Sequence, residues 1–311
     1  MPYNVGIIGA ARRHQGTGPF IARNFVQHGH HIAGIVGTSQ TTAFEAQTNL
    51  KKEYDIDSQA YTSLDQLTEE HAIDIVVISS PPNSHLKYLE KALDNKCHVF
   101  CEKPLWWPQE TLSQEDYIYK IDQIISVANK NKCYIHLNTH WPYTLKDFIR
   151  LYPDSLRNHQ LNQFTMTLSP QSSGVDMLVD AASHGLSMLY QLVGHGEITN
   201  LNIEHIDSKA LVNFDYQHQT GITNTSLEFI QSNETPKPAS YQINGYLVKR
   251  IVALPEYQIQ LQSGQKIIDI HDPLDRSIED FLAGIDAQIS TDEITLRLGA
   301  LHLHQLIEAF I

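Results

Sequence analysis

Short β-rich runs alternate with helix-periodic stretches through the first half of the chain, and few folds accommodate that rhythm. Residues 5–8, 32–36, 73–79, 98–101 and 134–137 are apolar, β-branched runs of strand length. Between them Leu86, Leu89 and Leu93, then Ile118, Ile121, Ile125 and Ala128, recur at helical spacing. Strands separated by helices cannot be joined as hairpins, so the pattern predicts an α/β fold with a parallel, doubly wound sheet covered by helices on both faces.

The rhythm changes after Asn138. Ala210, Val212, Phe214 and Tyr216 alternate with polar residues, as do Thr225, Leu227 and Phe229, and then Tyr257, Ile259 and Leu261 between Gln258, Gln260 and Gln262. Strict alternation is the mark of a half-buried, antiparallel sheet with one dry and one wet face. A last helix carries Leu296, Leu303, Ile307 and Phe310 on one side. With 311 residues there is chain for two cores. The expected division is a dinucleotide-type domain over 1–138 and an α+β domain with an open, mostly antiparallel sheet over 139–311.

Charge and cysteine use narrow the partners. A formal charge of -13 repels nucleic acid and anionic membranes, which favours a small-molecule partner. The three cysteines form no disulfide framework, no run is long and apolar enough to span a bilayer, and no leader pattern precedes the first strand. A cytoplasmic protein is expected.

The loop after the first strand reads Gly9-Ala-Ala-Arg-Arg-His-Gln-Gly16-Thr-Gly18-Pro19 and runs into a helix. Glycines at a strand-to-helix turn let the backbone approach a pyrophosphate, while the helix N-terminus offers free N–H groups and the positive end of its dipole. Ala11 and His14 stand where a strict G-x-G-x-x-G would have glycines, so this is a lengthened phosphate loop, with Gly9, Ala11, Arg12, Arg13, Gly16, Thr17 and Gly18 as cofactor contacts. NAD-preferring sites usually end the second strand in an acid that binds the adenosine ribose. Here that strand ends in Gly37-Thr38-Ser39, and no acidic residue precedes Glu45. Arg12, Arg13 and Arg23 with the Thr38 and Ser39 hydroxyls would suit a 2′-phosphate, which predicts NAD(P) with a lean toward NADP.

Three further motifs carry a resemblance. Ser79-Ser80-Pro81-Pro82-Asn83-Ser84-His85 follows one strand, Glu102-Lys103-Pro104 follows the next, and Asp180-Ala-Ala-Ser-His184 lies in a later helical stretch. Together they resemble the glucose-fructose oxidoreductase and inositol dehydrogenase family (Gfo/Idh/MocA), from Val5 to Phe310. The resemblance implies Ser80, Pro81, Asn83, His85, Glu102 and Lys103 around the cofactor, and Lys103, Asp180 and His184 as the catalytic set. His184 would be the general base, since imidazole titrates near neutrality. Lys103 would hydrogen-bond the reacting oxygen, and Asp180, one turn before His184, would orient the imidazole or touch substrate. The implied function is an NAD(P)-dependent dehydrogenase or reductase moving a hydride between nicotinamide and a secondary alcohol of a sugar, cyclitol or related polyol. The family also includes glycosidases that retain NAD and a non-catalytic dinucleotide-binding regulator.

This chain departs from the family after the sixth strand. Many relatives read N-x-x-R-x-x-P, and here the sequence is Asn138-Thr-His140-Trp141-Pro142-Tyr143, without the arginine. Trp106, Trp107, His140, Trp141 and Tyr143 are the candidate substrate contacts, since sugar rings stack their C–H faces on aromatic side chains. No metal is expected: His28, His30 and His31 flank a glycine, His302 and His304 point to different sides of a helix, and neither group has ligand spacing. No G-x-S-x-G elbow suggests a serine nucleophile. A homodimer or homotetramer through the open sheet face is expected.

Overall fold

The computed structural model describes residues 2–11, 16–156, 160–253 and 257–311. Two compact units emerge: Met1–Asn138 with Ser277–Leu296, and Thr139–Arg276 with Arg297–Ile311.

The first unit is built on six parallel strands: β1 (Asn4–Ile8), β2 (His31–Val36), β3 (Gln59–Tyr61), β4 (Ile75–Ile78), β5 (His98–Glu102) and β6 (Ile135–Asn138). Their order across the sheet is β3-β2-β1-β4-β5-β6, the doubly wound arrangement whose direction of winding reverses between β1 and β4. Helices α1 (Gly18–Gln27), α2 (Gln40–Tyr54), α3 (Leu64–Glu70), α4 (His85–Asp94) and α5 (Gln114–Asn131) make the crossovers. All four residues of β4 are 0% exposed, which is why that strand reads as one apolar run instead of alternating. Phe281, from the 277–296 return, packs edge-on to Phe25 and Phe100, with ring centroids 6.3 and 5.4 Å away.

Two of the crossovers end alike. Ala92-Leu-Asp-Asn-Lys96-Cys97 closes α4 and Ala128-Asn-Lys-Asn-Lys132-Cys133 closes α5. Lys96 and Lys132 adopt the left-handed conformation, with φ of 58° and 57°. The amides of Cys97 and Cys133 then donate back to the carbonyls of Ala92 and Ala128, at 2.9 and 2.8 Å, satisfying helix carbonyls that would otherwise be orphaned. All three cysteines are free and buried.

The second unit contains α6 (Leu145–Leu151), β7 (Gln163–Leu168), α7 (Asp176–Val193) and a run of seven strands: β8 (Gly196–Ile206), β9 (Lys209–His218), β10 (Gly221–Ile230), β11 (Ala239–Ile243), β12 (Tyr246–Ala253), β13 (Gln258–Ser263) and β14 (Lys266–Asp269). The eight-stranded order is β14-β13-β12-β11-β7-β10-β9-β8. The expected antiparallel pairing holds throughout except between β7 and β10, which run parallel because the long α7 connection intervenes before β8 to β10 are laid down. Ala210, Val212, Phe214 and Tyr216 all face the core. Helix α7 lies directly on the sheet, where a Cβ on Gly185 would come within 2.6 Å of the Leu227 side chain. In β13 only Leu261 is fully buried, because that strand lies near the sheet edge. Helices α8 (Pro273–Asp286) and α9 (Glu293–Phe310) complete the chain, and His302 and His304, expected on different helix sides, are both buried. Among the described residues no helix is long and apolar enough to cross a membrane.

Candidate active site

The first unit gathers its candidate residues at the C-terminal edge of the parallel sheet, where open α/β folds hold ligands. Gly9 follows β1 with a φ of +89°, and its amide donates to Val36 at 3.3 Å. A Cβ there would lie 2.7 Å from the Ser80 nitrogen, and one on Gly18 would lie 2.9 Å from the Ala10 Cα and from Ser79 Oγ. The sequence assigned these glycines to making room for pyrophosphate; the structure adds that the loop itself must pass against the end of β4. Arg12, Arg13, His14 and Gln15 lie outside the described residues.

Helix α1 begins at Gly18 with Pro19 in its first turn, no side-chain cap and no acidic residue there. A helix start with neither a side-chain cap nor an acidic residue in its first turn suits an anionic pyrophosphate. The Thr17 hydroxyl, which could have capped the helix, donates instead to Glu102 Oε1 at 2.7 Å. Asn138 Nδ2 donates to the same oxygen at 2.8 Å. Glu102 thus ties the phosphate loop to the ends of β5 and β6, a role not legible in the sequence. Ser39 at the end of β2 accepts from the Thr42 amide at 3.2 Å and caps α2, whose first turn also lacks acidic residues. Thr38 and Ser39 are exposed. Arg23 is directed elsewhere, over the rings of Phe20 and Tyr54.

His85 is 0% exposed and holds two turns together. Its Nε2 lies 2.7 Å from the Ser80 carbonyl, and its Nδ1 lies 3.0 and 3.2 Å from the carbonyls of Pro104 and Leu105. Burial lowers its pKa, opposed by those carbonyls. The imidazole thereby fixes the Lys103-Pro104 turn, whose peptide is cis, against the Ser80-Pro81 turn. Lys103 is half-buried. Trp106 is a core residue, tilted against Tyr117 at 5.7 Å, with its carbonyl accepting from the Tyr117 hydroxyl at 2.7 Å. Trp107 meets the same Tyr117 edge-on.

The second unit assembles a separate group. Asp180 and His184 lie one turn apart on α7, and Ser172 donates to Asp180 Oδ2 at 3.1 Å. The His184 ring sits 4.9 Å from that of His140 and 6.5 Å from that of Trp141, and His140 stacks on Trp141 at 5.9 Å. His140, Trp141 and His184 therefore form one aromatic cluster. Tyr143 contributes its carbonyl to Arg276 Nη1 at 2.8 Å. Arg250 lies over the Trp141 ring, its Cζ 5.4 Å from the centroid. Sequence reasoning missed Arg250, although it shares an alternating register with Val248 and Val252 in β12, and a charge in an apolar register is a readable signal.

Comparison with known proteins agrees with this architecture. Residues 3–138 match the family model described as an oxidoreductase family with an NAD-binding Rossmann fold. An uncharacterized oxidoreductase of Schizosaccharomyces pombe is 50% identical over 44 residues, 14% of this chain and 12% of that protein. The uncharacterized oxidoreductase YgjR of Escherichia coli is 27% identical over 114 residues, 36% of this chain and 32% of its own. These curated relatives are thus matched over less than half their length. Among solved structures, UDP-N-acetylglucosamine 3-dehydrogenase from Acidithiobacillus ferrooxidans superposes with a TM-score of 0.71 at 18% identity, covering 99% of this chain and 98% of that one. A 3-ketoreductase from Actinomadura kijaniata, solved with NADP, gives 0.69 at 16% identity, covering 99% and 96%. Those two likenesses speak for the fold. With the winding order and the turn motifs, residues 3–138 carry the NAD-binding Rossmann fold of the Gfo/Idh/MocA oxidoreductase family.

Proposed function

We propose that the chain is an NAD(P)-dependent dehydrogenase or reductase acting on a secondary alcohol of a sugar, cyclitol or related polyol. The observation that carries this reading is the single sheet edge bearing both the uncapped start of α1 and the Glu102-Lys103-Pro104 turn locked by His85. The dinucleotide, when bound, supplies or accepts the hydride. Gly9, Ala11, Gly16, Thr17 and Gly18 would hold its pyrophosphate, with Ser80, Pro81, Asn83 and Glu102 lining the rest of the edge. Lys103 donates a hydrogen bond to the reacting oxygen, stabilising charge that develops there. His184 takes the hydroxyl proton during oxidation and returns it during reduction, and Asp180 holds the imidazole or the substrate. His140 and Tyr143 offer rings for the apolar face of a polyol, while Trp141, as buried as Trp106, packs against His140.

NADP is the favoured cofactor. Two exposed hydroxyls and a helix start free of acids at the end of β2 support it, and the Actinomadura ketoreductase was solved with NADP. Titration with NADPH and NADH, followed by nicotinamide fluorescence, tests this directly: NADPH should bind more tightly, and the preference should weaken on Arg12→Ala or Ser39→Ala. Equal binding insensitive to both changes would refute the 2′-phosphate reading. Turnover is tested by Lys103→Ala and His184→Asn, which should bind cofactor normally and lose activity on the polyol.

A homodimer or homotetramer through the open face of the second sheet fits the surface there. That face holds a shallow pocket of about 250 Å³ lined by Gln163, Asn200, Asn213, Asp215, Asn224 and Ser226. Carboxamides donate and accept at once, so such a surface can pair with its own two-fold copy. Light scattering at increasing dilution would measure it. The three free thiols suit a reducing compartment such as the cytoplasm.

A further inference from the structure

The second unit treats its arginines unequally. Arg150 and Arg276 both pair with Asp147, a carboxylate 1% exposed, each at 2.7 Å. Arg250 has no such partner among the described residues. It stands opposite Ala239 and Leu261, both buried, on the face of the sheet that packs inward. Its Nη2 donates to the Lys237 carbonyl at 2.6 Å, its Nε is buried without an acceptor, and its Cζ lies 5.4 Å from the centre of the Trp141 ring. Burial holds the guanidinium below its ordinary pKa, with Tyr257, among the described residues, acting against that.

A second cation sits close by. Lys237 Nζ donates to the Ser232 carbonyl at 2.5 Å, and burial lowers its pKa while Asp180 acts to raise it. Asp180 already accepts from Ser172. Among the described residues the neighbourhood therefore pairs a buried guanidinium and a half-buried ammonium with one engaged carboxylate, in a chain with only 22 basic residues and a net charge of -13. Burying a guanidinium without a counter-charge is costly, and the cost is recovered when an oxyanion accepts its fork of N–H donors. Trp141 neighbours Arg250 as well as the His140 and His184 rings, which brings a charged group beside the aromatic cluster.

We propose that Arg250, with Lys237 beside it, anchors an oxyanion on the substrate, so that the preferred compound is an acidic or phosphorylated polyol and not a neutral one. This rests on the reading of the second unit as the substrate-binding part. The test uses the full chain saturated with NADP, so that the nucleotide site is filled, and isothermal titration with glucuronate, glucose 6-phosphate, inorganic phosphate and glucose.

Glucuronate or glucose 6-phosphate should bind about ten- to hundredfold more tightly than glucose, the span expected of a charge-assisted, two-pronged contact. A preference for glucuronate identifies a carboxylate as the anchored group, and a preference for glucose 6-phosphate with binding of inorganic phosphate identifies a phosphate. Arg250→Met should erase the difference, and Arg250→Lys should keep part of it, with NADPH affinity unchanged in both. Equal behaviour of acidic and neutral probes in the unmodified protein, including no binding of either, overturns the proposal without any variant. So does acidic-probe binding that survives Arg250→Met. Nicotinamide absorbance separates the two readings: an acidic probe that binds through Arg250 without hydride transfer leaves the anchor standing and removes that probe as a redox substrate, whereas turnover of neutral sugars untouched by Arg250→Met does the reverse.

Discussion

At the C-terminal edge of the parallel sheet the candidate groups are largely main chain, whereas those of the second unit, on α7, on β12 and in the turn after β6, are side chains. In the first unit the uncapped start of α1, the close passage of Gly9 and Gly18 and the carbonyls around His85 set the candidate site. In the second, the candidates are the side chains of Asp180, His184, Trp141 and Arg250. Recognition by backbone tolerates little steric change and is indifferent to most side-chain chemistry; recognition by side chains has the opposite sensitivities.

The contrast can be broken most decisively at His184. His184→Asn should lower kcat by about a thousandfold, the range of a lost general base, while NADPH affinity stays within about twofold. A comparable loss of cofactor binding would erase the distinction between the units. Next in size, Gly18→Val should weaken cofactor binding by about a hundredfold, since its branched side chain meets Ala10 and Ser79; polyol binding measured by saturation-transfer NMR should survive. Unchanged NADPH titration in this variant would mean the backbone approach is not what the site uses. Thr38→Asp tests charge where β2 ends, and should shift the NADPH-to-NADH affinity ratio by about thirtyfold toward NADH through repulsion of the 2′-phosphate.

Acid stability sharpens the comparison, because each unit buries a histidine whose pKa falls to about 4. Burial lowers His136, hydrogen-bonded to Ser277 at 2.9 Å, and His302, within 2.9 Å of the Tyr190 hydroxyl, each to a pKa of about 4. A folded-state pKa below the unfolded value means the unfolded chain binds protons first. The stability from the neutral rings is complete above about pH 6.5 and is lost as pH falls toward 4, at about 1.4 kcal/mol per pH unit for each ring. Urea midpoints should show that slope, and His136→Gln should remove the share of that ring alone; an unchanged slope would mean that ring is not held neutral. Smallest is Thr17→Val, which removes one hydrogen bond to Glu102 and should lower the melting temperature by a few degrees with about 1–2 kcal/mol lost.

Much of the fold could be read from residue order because it rests on periodicity. The four apolar residues of β4 and the alternation of β9 announce burial on two faces and on one face respectively. What stayed hidden depends on distant partners. The return of residues 277–296 to the first unit has no local signature, since an amphipathic helix declares its apolar face but not the core that receives it. The parallel step between β7 and β10 is likewise decided by chain path. At the candidate site, the phosphate loop, the Lys103 turn and the α7 pair were legible as motifs. Glu102 as a tie between Thr17 and Asn138 was not, because its partners stand 85 and 36 residues away. Trp106 illustrates the converse: grouped with substrate-facing aromatics by composition, it packs inside the first unit on Tyr117.

The twin endings of α4 and α5 make these two joints interchangeable parts. Both spend a lysine on a backbone shape that glycine adopts freely, at a cost of about 1 kcal/mol apiece. Exchanging the hexapeptides that begin at Ala92 and Ala128 should therefore leave the β5 and β6 register intact, and placing glycine at either lysine should toughen the sheet margin remote from the chemistry. An engineer seeking a sturdier scaffold has two matched adjustment points there, neither of which disturbs the edge where ligands are handled.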